Sequence, residues 1–229
     1  MPASGAVTRS TLRQQIADAL RDEVLAGRLQ PGEEFTVKQI AEGYGVSATP
    51  VREALVDLSA QGLLDSDQHK GFRVHEFSVD DYCGMVEARS LIVDGIFRNL
   101  THHSICREPL LSVRRRAEEA GQAARAGNLD ILIGYDLRFW RELAALTGNR
   151  YIADFLHRLR VQCWVFAVPH LRGRTDISDG LWQRHEQLAD AVVRGDADTA
   201  HTVIRQANAH GLAWAKKLRD LTTPGRPGE

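Results

Sequence analysis

The run Gly45-Val46-Ser47-Ala48-Thr49-Pro50-Val51-Arg52-Glu53-Ala54-Leu55 constrains this chain more than any other stretch, because a glycine turn there opens directly into an amphipathic helix. Ser47 suits the N-cap, where its hydroxyl can accept from a free amide of the first turn. Val51, Ala54, Leu55 and Leu58 then recur at helical spacing and define an inward face, leaving Thr49, Arg52, Glu53 and Val56 outside. A helix start that offers the hydroxyls of Ser47 and Thr49, exposed amides and the Arg52 guanidinium is suited to phosphates and base edges. The pattern also fits a helical hairpin with a solvated face, since the same turn geometry occurs in plain bundles.

The flanks favour DNA. Gly62 suits a C-terminal stop after the helix, and Leu63 to His75 then reads as a β-hairpin, with Lys70-Gly71 at its tip and Arg73 just inside the second strand, a basic wing. Upstream, Thr36 and Gln39 have capping-box spacing before Ile40 and Ala41, which places the first helix of the pair at 36–44. Leu12, Ile16, Leu20 and Val24 recur every four residues and close a three-helix core, ending at Gly27 and a Pro31-Gly32 turn. The unit reads as a winged helix-turn-helix.

Residues 10–76 resemble the DNA-binding domain of the GntR family of bacterial transcription regulators, on the strength of the run Gly45 to Leu55. The rest resembles the helical ligand-binding (FCD) domain of that family's FadR-type branch, in its six-helix form. At matching positions the resemblance implies that Lys38, Thr49, Arg52 and the wing around Lys70 and Gly71 contact DNA. Ala48 departs from the family, many members of which carry arginine there, so one contact is missing or supplied elsewhere. The expected fold is mainly α: a winged helix-turn-helix over 1–77, an all-helical antiparallel bundle over 78–221, and a disordered tail over 222–229, where prolines and glycines recur without periodicity.

Charge restricts how DNA could be held. The whole chain carries a formal net charge of −1, and up to Phe77 eleven acidic residues outnumber eight basic ones. Affinity must come from a local patch and from doubling by dimerisation, with a modest salt slope. Cys83, Cys106 and Cys163 lack metal-pair or redox-pair spacing and read as thiols in a reducing cytosol. No apolar run approaches ~20 residues and no signal-peptide core opens the chain, so a cytoplasmic protein without membrane contact is expected.

In the second half, four helical apolar stripes are each interrupted by one polar residue. Arg89 sits among Tyr82, Met85, Val86 and Val93, and Asp136 between Leu132 and Phe139. Gln162 lies among Leu159, Cys163 and Phe166, and His185 follows Leu181 and Trp182 in a helix expected after Gly180. Each has a plain structural explanation alone, but burying a charge without a partner costs several kcal/mol, so the four should converge or reach water. A partly hydrated cavity between helices, the place where bundles hold ligands, satisfies them.

The resemblance bears on what fills it. Many FadR-type ligand domains hold a metal with an Asp, a His one turn later and two further His on the last two helices. Here Asp136 and His185 match, whereas Trp140 and Ala207 stand at the other two positions and cannot ligate, although His210 lies three residues beyond Ala207. Two donors of four make an incomplete site, so no metal cofactor is expected and an organic effector would be held directly. Arg89 offers a fork suited to a carboxylate, and family members often sense small organic acids. Trp140 would either stack on a ligand or fill the space left by the metal. The implied protein is a homodimeric repressor on a short palindromic operator, released when the acid acts through the connector at Glu76-Phe77-Ser78. A metal-dependent sensor, a winged adaptor that no longer reads DNA, and acid-base chemistry at Asp136 and His185 are the alternatives. No activated-nucleophile pattern or phosphate loop supports an enzyme.

Overall fold

The protein is described from a computed structural model over residues 12–67, 70–99, 107–174, 177 and 180–222. Cys106, the wing-tip residues Gln68 and His69, and the tail beyond Thr222 lie outside the described residues. The chain divides into two compact units, Met1–Glu76 and Phe77–Glu229.

The first unit runs α1 (Leu12–Leu25), β1 (Glu34–Phe35), α2 (Val37–Tyr44), α3 (Ala48–Ala60), β2 (Leu64–Asp67) and β3 (Gly71–Val74). Ile16, Leu20 and Val24 of α1 pack against Val51, Ala54, Leu55 and Leu58 of α3. Leu12 does not close this core as its spacing suggests: at the first position of α1 it is 48% exposed. Thr36 starts α2 with a complete capping box, its hydroxyl accepting from the Gln39 amide while the Gln39 side chain accepts from the Thr36 amide. The wing has one strand more than the hairpin read from sequence. β1 pairs with β3 in register Phe35↔Phe72, giving an antiparallel sheet in the order β1-β3-β2.

The second unit is an all-helical bundle of α4 (Val79–Asn99), α5 (Arg107–Arg125), α6 (Leu129–Ala145), α7 (Arg150–Leu171), α8 (His185–Val193) and α9 (Ala197–Thr222). Ser78 caps α4, its hydroxyl accepting from the Asp81 amide at 3.1 Å. Asn128 and Asn149 cap α6 and α7 in the same way. Among the described residues two apolar clusters hold the bundle. One gathers Val113, Ala117, Phe139, Leu188 and Val203; the other gathers Tyr82, Val86, Cys163, Phe166 and Ala215.

Three details differ from the periodicity. The helix expected after Gly180 begins only at His185, so Leu181 and Trp182 reach inward from non-helical chain. α7 is buried almost all the way round, from Val161 to Val168, and has no single inward stripe. Leu221, the last apolar residue of the α9 stripe, is 75% exposed, because it lies in the final turn.

Candidate functional site

The first candidate surface is the start of α3. Gly45 ends α2 in the left-handed region at φ +64, and the Val46 amide reaches back to the Ala41 carbonyl at 3.0 Å, which turns the chain sharply toward α3. Ser47 occupies the N-cap, but its hydroxyl makes no capping hydrogen bond to the helix, contrary to the sequence expectation. Ala48, Thr49, Arg52, Glu53 and Val56 line the exposed side of α3, opposite the buried Val51, Ala54 and Leu55. Among the described residues Arg52 has no acidic partner. Lys38, on α2, is exposed and lies 3.8 Å from Glu42, a loose pair one helical turn long.

In the wing, Lys70 precedes β3, the central strand of the sheet, and Gly71 and Arg73 lie on it. Gly71 has φ +104, and a Cβ there would stand 2.6 Å from the Phe35 carbonyl oxygen, so the close approach of β3 to β1 requires glycine. Arg73, expected as part of a basic wing, is half-exposed and paired with an acid. It faces Asp65 across the ladder and donates to its Oδ2 at 3.2 Å, while His75 Nδ1 lies 2.8 Å from Oδ1. Partial burial pushes the Asp65 carboxyl up, but His75 and Arg73 together hold it below its usual range.

The second candidate site is a cavity of about 80 Å³ in the helical unit. That is several times the ~10–15 Å³ that admits one water on this measure. Arg89, Asp136 and His185 all line it, as their spacing predicts, together with Ala207 and His210 of α9. His210 donates through Nε2 to the Gly180 carbonyl at 2.9 Å. Tyr82 and Trp214 complete the aromatic wall, and a Cβ on Gly211 would meet the Tyr82 hydroxyl at 2.8 Å.

Asp136 is the hub. Arg160 grips it with two bonds, Nε to Oδ2 at 2.8 Å and Nη2 to Oδ1 at 2.5 Å. Trp140 and Trp164 donate their indole N–H groups to it at 3.0 and 2.6 Å, and His185 Nε2 lies 3.1 Å from Oδ1. Burial alone would raise the Asp136 carboxyl, yet the charge of Arg160 and the bonds from His185 and Arg160 hold it well below the ordinary carboxylate range. Burial lowers His185, so its ring is neutral at pH 7 with Nε2–H toward Asp136. Its Nδ1 is buried without a hydrogen-bond partner.

Arg89 has a different environment. It is 7% exposed, donates through Nε to Asn208 Oδ1 at 2.9 Å, and has no carboxylate partner among the described residues. Its Nη1 is buried with no hydrogen-bond partner. Burial first, and then the like charge of Arg160, disfavour its charged form without removing it at neutral pH.

Two expected cavity residues lie elsewhere. Gln162 does not line the cavity, because the face of α7 that does so runs through Arg160, Cys163, Trp164, Ala167 and Leu171, and Gln162 is turned away from it. Trp140 does not form the wall either. Its ring lies under the Arg160 guanidinium, 4.8 Å from centroid to carbon, and beside Trp182. Periodicity passed over Arg160, Trp164 and Asn208; only the positions of Arg160 and Trp164 one turn apart on α7 could have hinted at a shared partner.

The donor set does not fit a metal ion. Both Asp136 oxygens already accept from Arg160, Trp140, Trp164 and His185, so a cation there would have to displace a bidentate guanidinium. Among the described residues no three His, Cys, Asp or Glu side chains come close enough to hold one.

Comparison with known proteins agrees with both units. The model for bacterial regulatory proteins of the gntR family matches residues 12–74, and that for the FCD domain matches residues 86–209. A probable D-xylose utilization operon transcriptional repressor of Paenarthrobacter nicotinovorans is 28% identical over 213 residues, covering 91% of each chain. The transcriptional regulator McbR of Escherichia coli is 29% identical over 213 residues, 91% of this chain and 88% of its own. The solved structure of E. coli McbR/YncC superposes with a TM-score of 0.72 at 20% identity, over 91% of this chain and 99% of that one. A GntR regulator from Rhodococcus sp. RHA1 gives 0.71 at 18% identity, over 90% and 97%. No helix among the described residues is long and apolar enough to cross a membrane.

Proposed function

The chain belongs to the GntR family of bacterial transcription regulators, with an FCD domain behind its winged helix-turn-helix, and on that premise we propose that it is a cytoplasmic, homodimeric repressor released from a palindromic operator by a small organic acid. The observation that carries this reading is a pair of arginines without carboxylate partners among the described residues. Arg52 is exposed at the front of α3, where a guanidinium meets phosphates and base edges. Arg89 is buried and lines the cavity, where it suits an acid.

Thr49 and Ser47 add hydroxyls beside Arg52, and Lys38, Lys70 and the Gly71 backbone flank them on α2 and the wing. Arg73 serves the wing through Asp65 more than through DNA. The first-unit acidity makes a monomer a weak binder, which favours two half-sites. Repression follows the P. nicotinovorans relative, whose own description is that of a repressor. Coupling runs through α4, which carries Tyr82 and Arg89 and starts directly after the connector. The acid can shift operator affinity only by its differential affinity for two arrangements of that helix.

The test is a gel shift and footprint on DNA flanking the protein's own gene. Arg52→Ala should abolish the footprint with the melting temperature unchanged, since the side chain is exposed. Arg89→Ala should keep the footprint and lose release by the acid. A footprint that survives Arg52→Ala overturns the assignment of the reading surface. Absence of any shift with the unaltered protein favours the adaptor.

A further inference from the structure

We propose that the cavity selects an acid carrying one negative charge and holds it without a metal ion, with Arg160 as the permanent cation at the Asp136 end and Arg89, positioned by Asn208, as the anchor for the ligand. This rests on reading the cavity as an effector site and says which acids it takes.

The charges facing the cavity are few. Asp136 is matched by Arg160 through two hydrogen bonds. Tyr82 is pushed up to about 12 and Cys163 upward, both by burial first, so neither contributes an anion near neutral pH. Arg89 is then left as one buried positive charge without a carboxylate partner among the described residues. Leaving such a charge unmatched is costly, and a single carboxylate cancels it. A second carboxylate would have to be buried beside Asp136 with no cation left to receive it.

The geometry agrees with the charge count. Asn208, 4% exposed on α9, accepts from Nε of Arg89, which fixes the guanidinium plane and leaves Nη1 without a partner. Trp182 Nε1 on the cavity wall is also buried without a partner, a second donor for a ligand oxygen. Trp164, Trp182, Trp214 and Tyr82 give the remaining wall aromatic faces, which suit a flat apolar body behind the carboxylate. At the other end Arg160, stacked on Trp140, neutralises Asp136, so that carboxylate does not call for a metal ion.

The experiment is calorimetric titration of the full-length protein at pH 8 with benzoate, benzamide and phthalate, three probes with one ring and a charge of minus one, zero and minus two. Benzoate should bind about tenfold or more tightly than either of the others, with the same affinity in excess EDTA. Asn208→Asp would pair Arg89 internally. It should weaken benzoate about tenfold or more while the melting temperature stays level or rises, a combination that a merely structural role for Asn208 would not give. Arg89→Met, which removes the buried charge while keeping bulk, should lose benzoate binding while its melting temperature stays level or rises.

Equal binding of benzamide, tighter binding of phthalate, loss of benzoate binding in EDTA, undiminished benzoate binding by Asn208→Asp, or no binding of any probe overturns the proposal. An operator shift that persists through any of these leaves the regulator reading standing, so the two fail separately.

Discussion

Arg160 and Asp136 form a two-point ion pair inside the helical unit, with Nε and Nη2 of the guanidinium on the two oxygens of one carboxylate. The carboxylate belongs to α6 and the guanidinium to α7, so the pair ties neighbouring helices through a buried contact. Two indoles and an imidazole converge on the same two oxygens.

Removing the carboxylate should be severe. Asp136→Asn leaves Arg160 charged and enclosed with a neutral partner, and the expected loss is about 3–5 kcal/mol in urea unfolding of the helical unit. A variant within 1 kcal/mol of the unaltered protein would show that water compensates Arg160.

Trp140→Phe separates the two contributions of that side chain. The ring remains under Arg160, but the N–H donated to Asp136 is lost, and a hydrogen bond to a charged group is worth about 1.5–3 kcal/mol. Urea unfolding of Trp140→Phe should lose about that much. An unchanged midpoint would assign Trp140 to packing alone.

Stability should fall on mild acidification through His185. Its folded-state pKa is below the ordinary histidine value of about 6.5, so the unfolded chain takes up the proton first. The contribution is therefore intact above about pH 6.5 and lost as pH drops below it, at up to about 1.4 kcal/mol per pH unit for one proton. His170, also lowered by burial, adds in the same direction. Asp136 is depressed, so its own contribution is present above the usual carboxylate pKa of about 3.9 and is lost only at lower pH. Thermal unfolding between pH 8 and 5 should show the slope, and His185→Gln should flatten it. An equally steep slope in that variant would assign the effect elsewhere.

Gly71→Ala should damage the wing. The added carbon would press on the Phe35 carbonyl while φ +104 strains any L side chain, at a cost of about 1–3 kcal/mol. Operator affinity should drop with it, and retention of both stability and affinity would mean that β1 can move aside freely.

The first unit was legible because its signals are local. Thr36 with Gln39, the Gly45 turn and the apolar spacing of α3 act within a few residues of one another, and each appears in the structure. β1 was not legible, since two residues carry no alternation and their pairing with β3 is made across 37 positions of chain, from Phe35 to Phe72. In the helical unit Arg89, Asp136 and His185 stood out as polar breaks in apolar stripes. Arg160 did not, because α7 is buried on nearly every side and its sequence offers no contrast between faces. The same lack of contrast made Gln162 look inward. Ser47 shows another limit: sequence identified the cap position, but not whether the hydroxyl would turn back to the helix.

The two ends of the cavity differ in their freedom to change. Asp136 is engaged by four side chains from α6, α7 and α8, so any substitution near it disturbs several partners at once. Arg89 has one hydrogen-bond partner among the described residues, Asn208, and both lie on the packed pair α4 and α9. On the effector reading proposed above, a few substitutions on those two helices would change the inducer, while the Asp136 end keeps the bundle folded throughout the change.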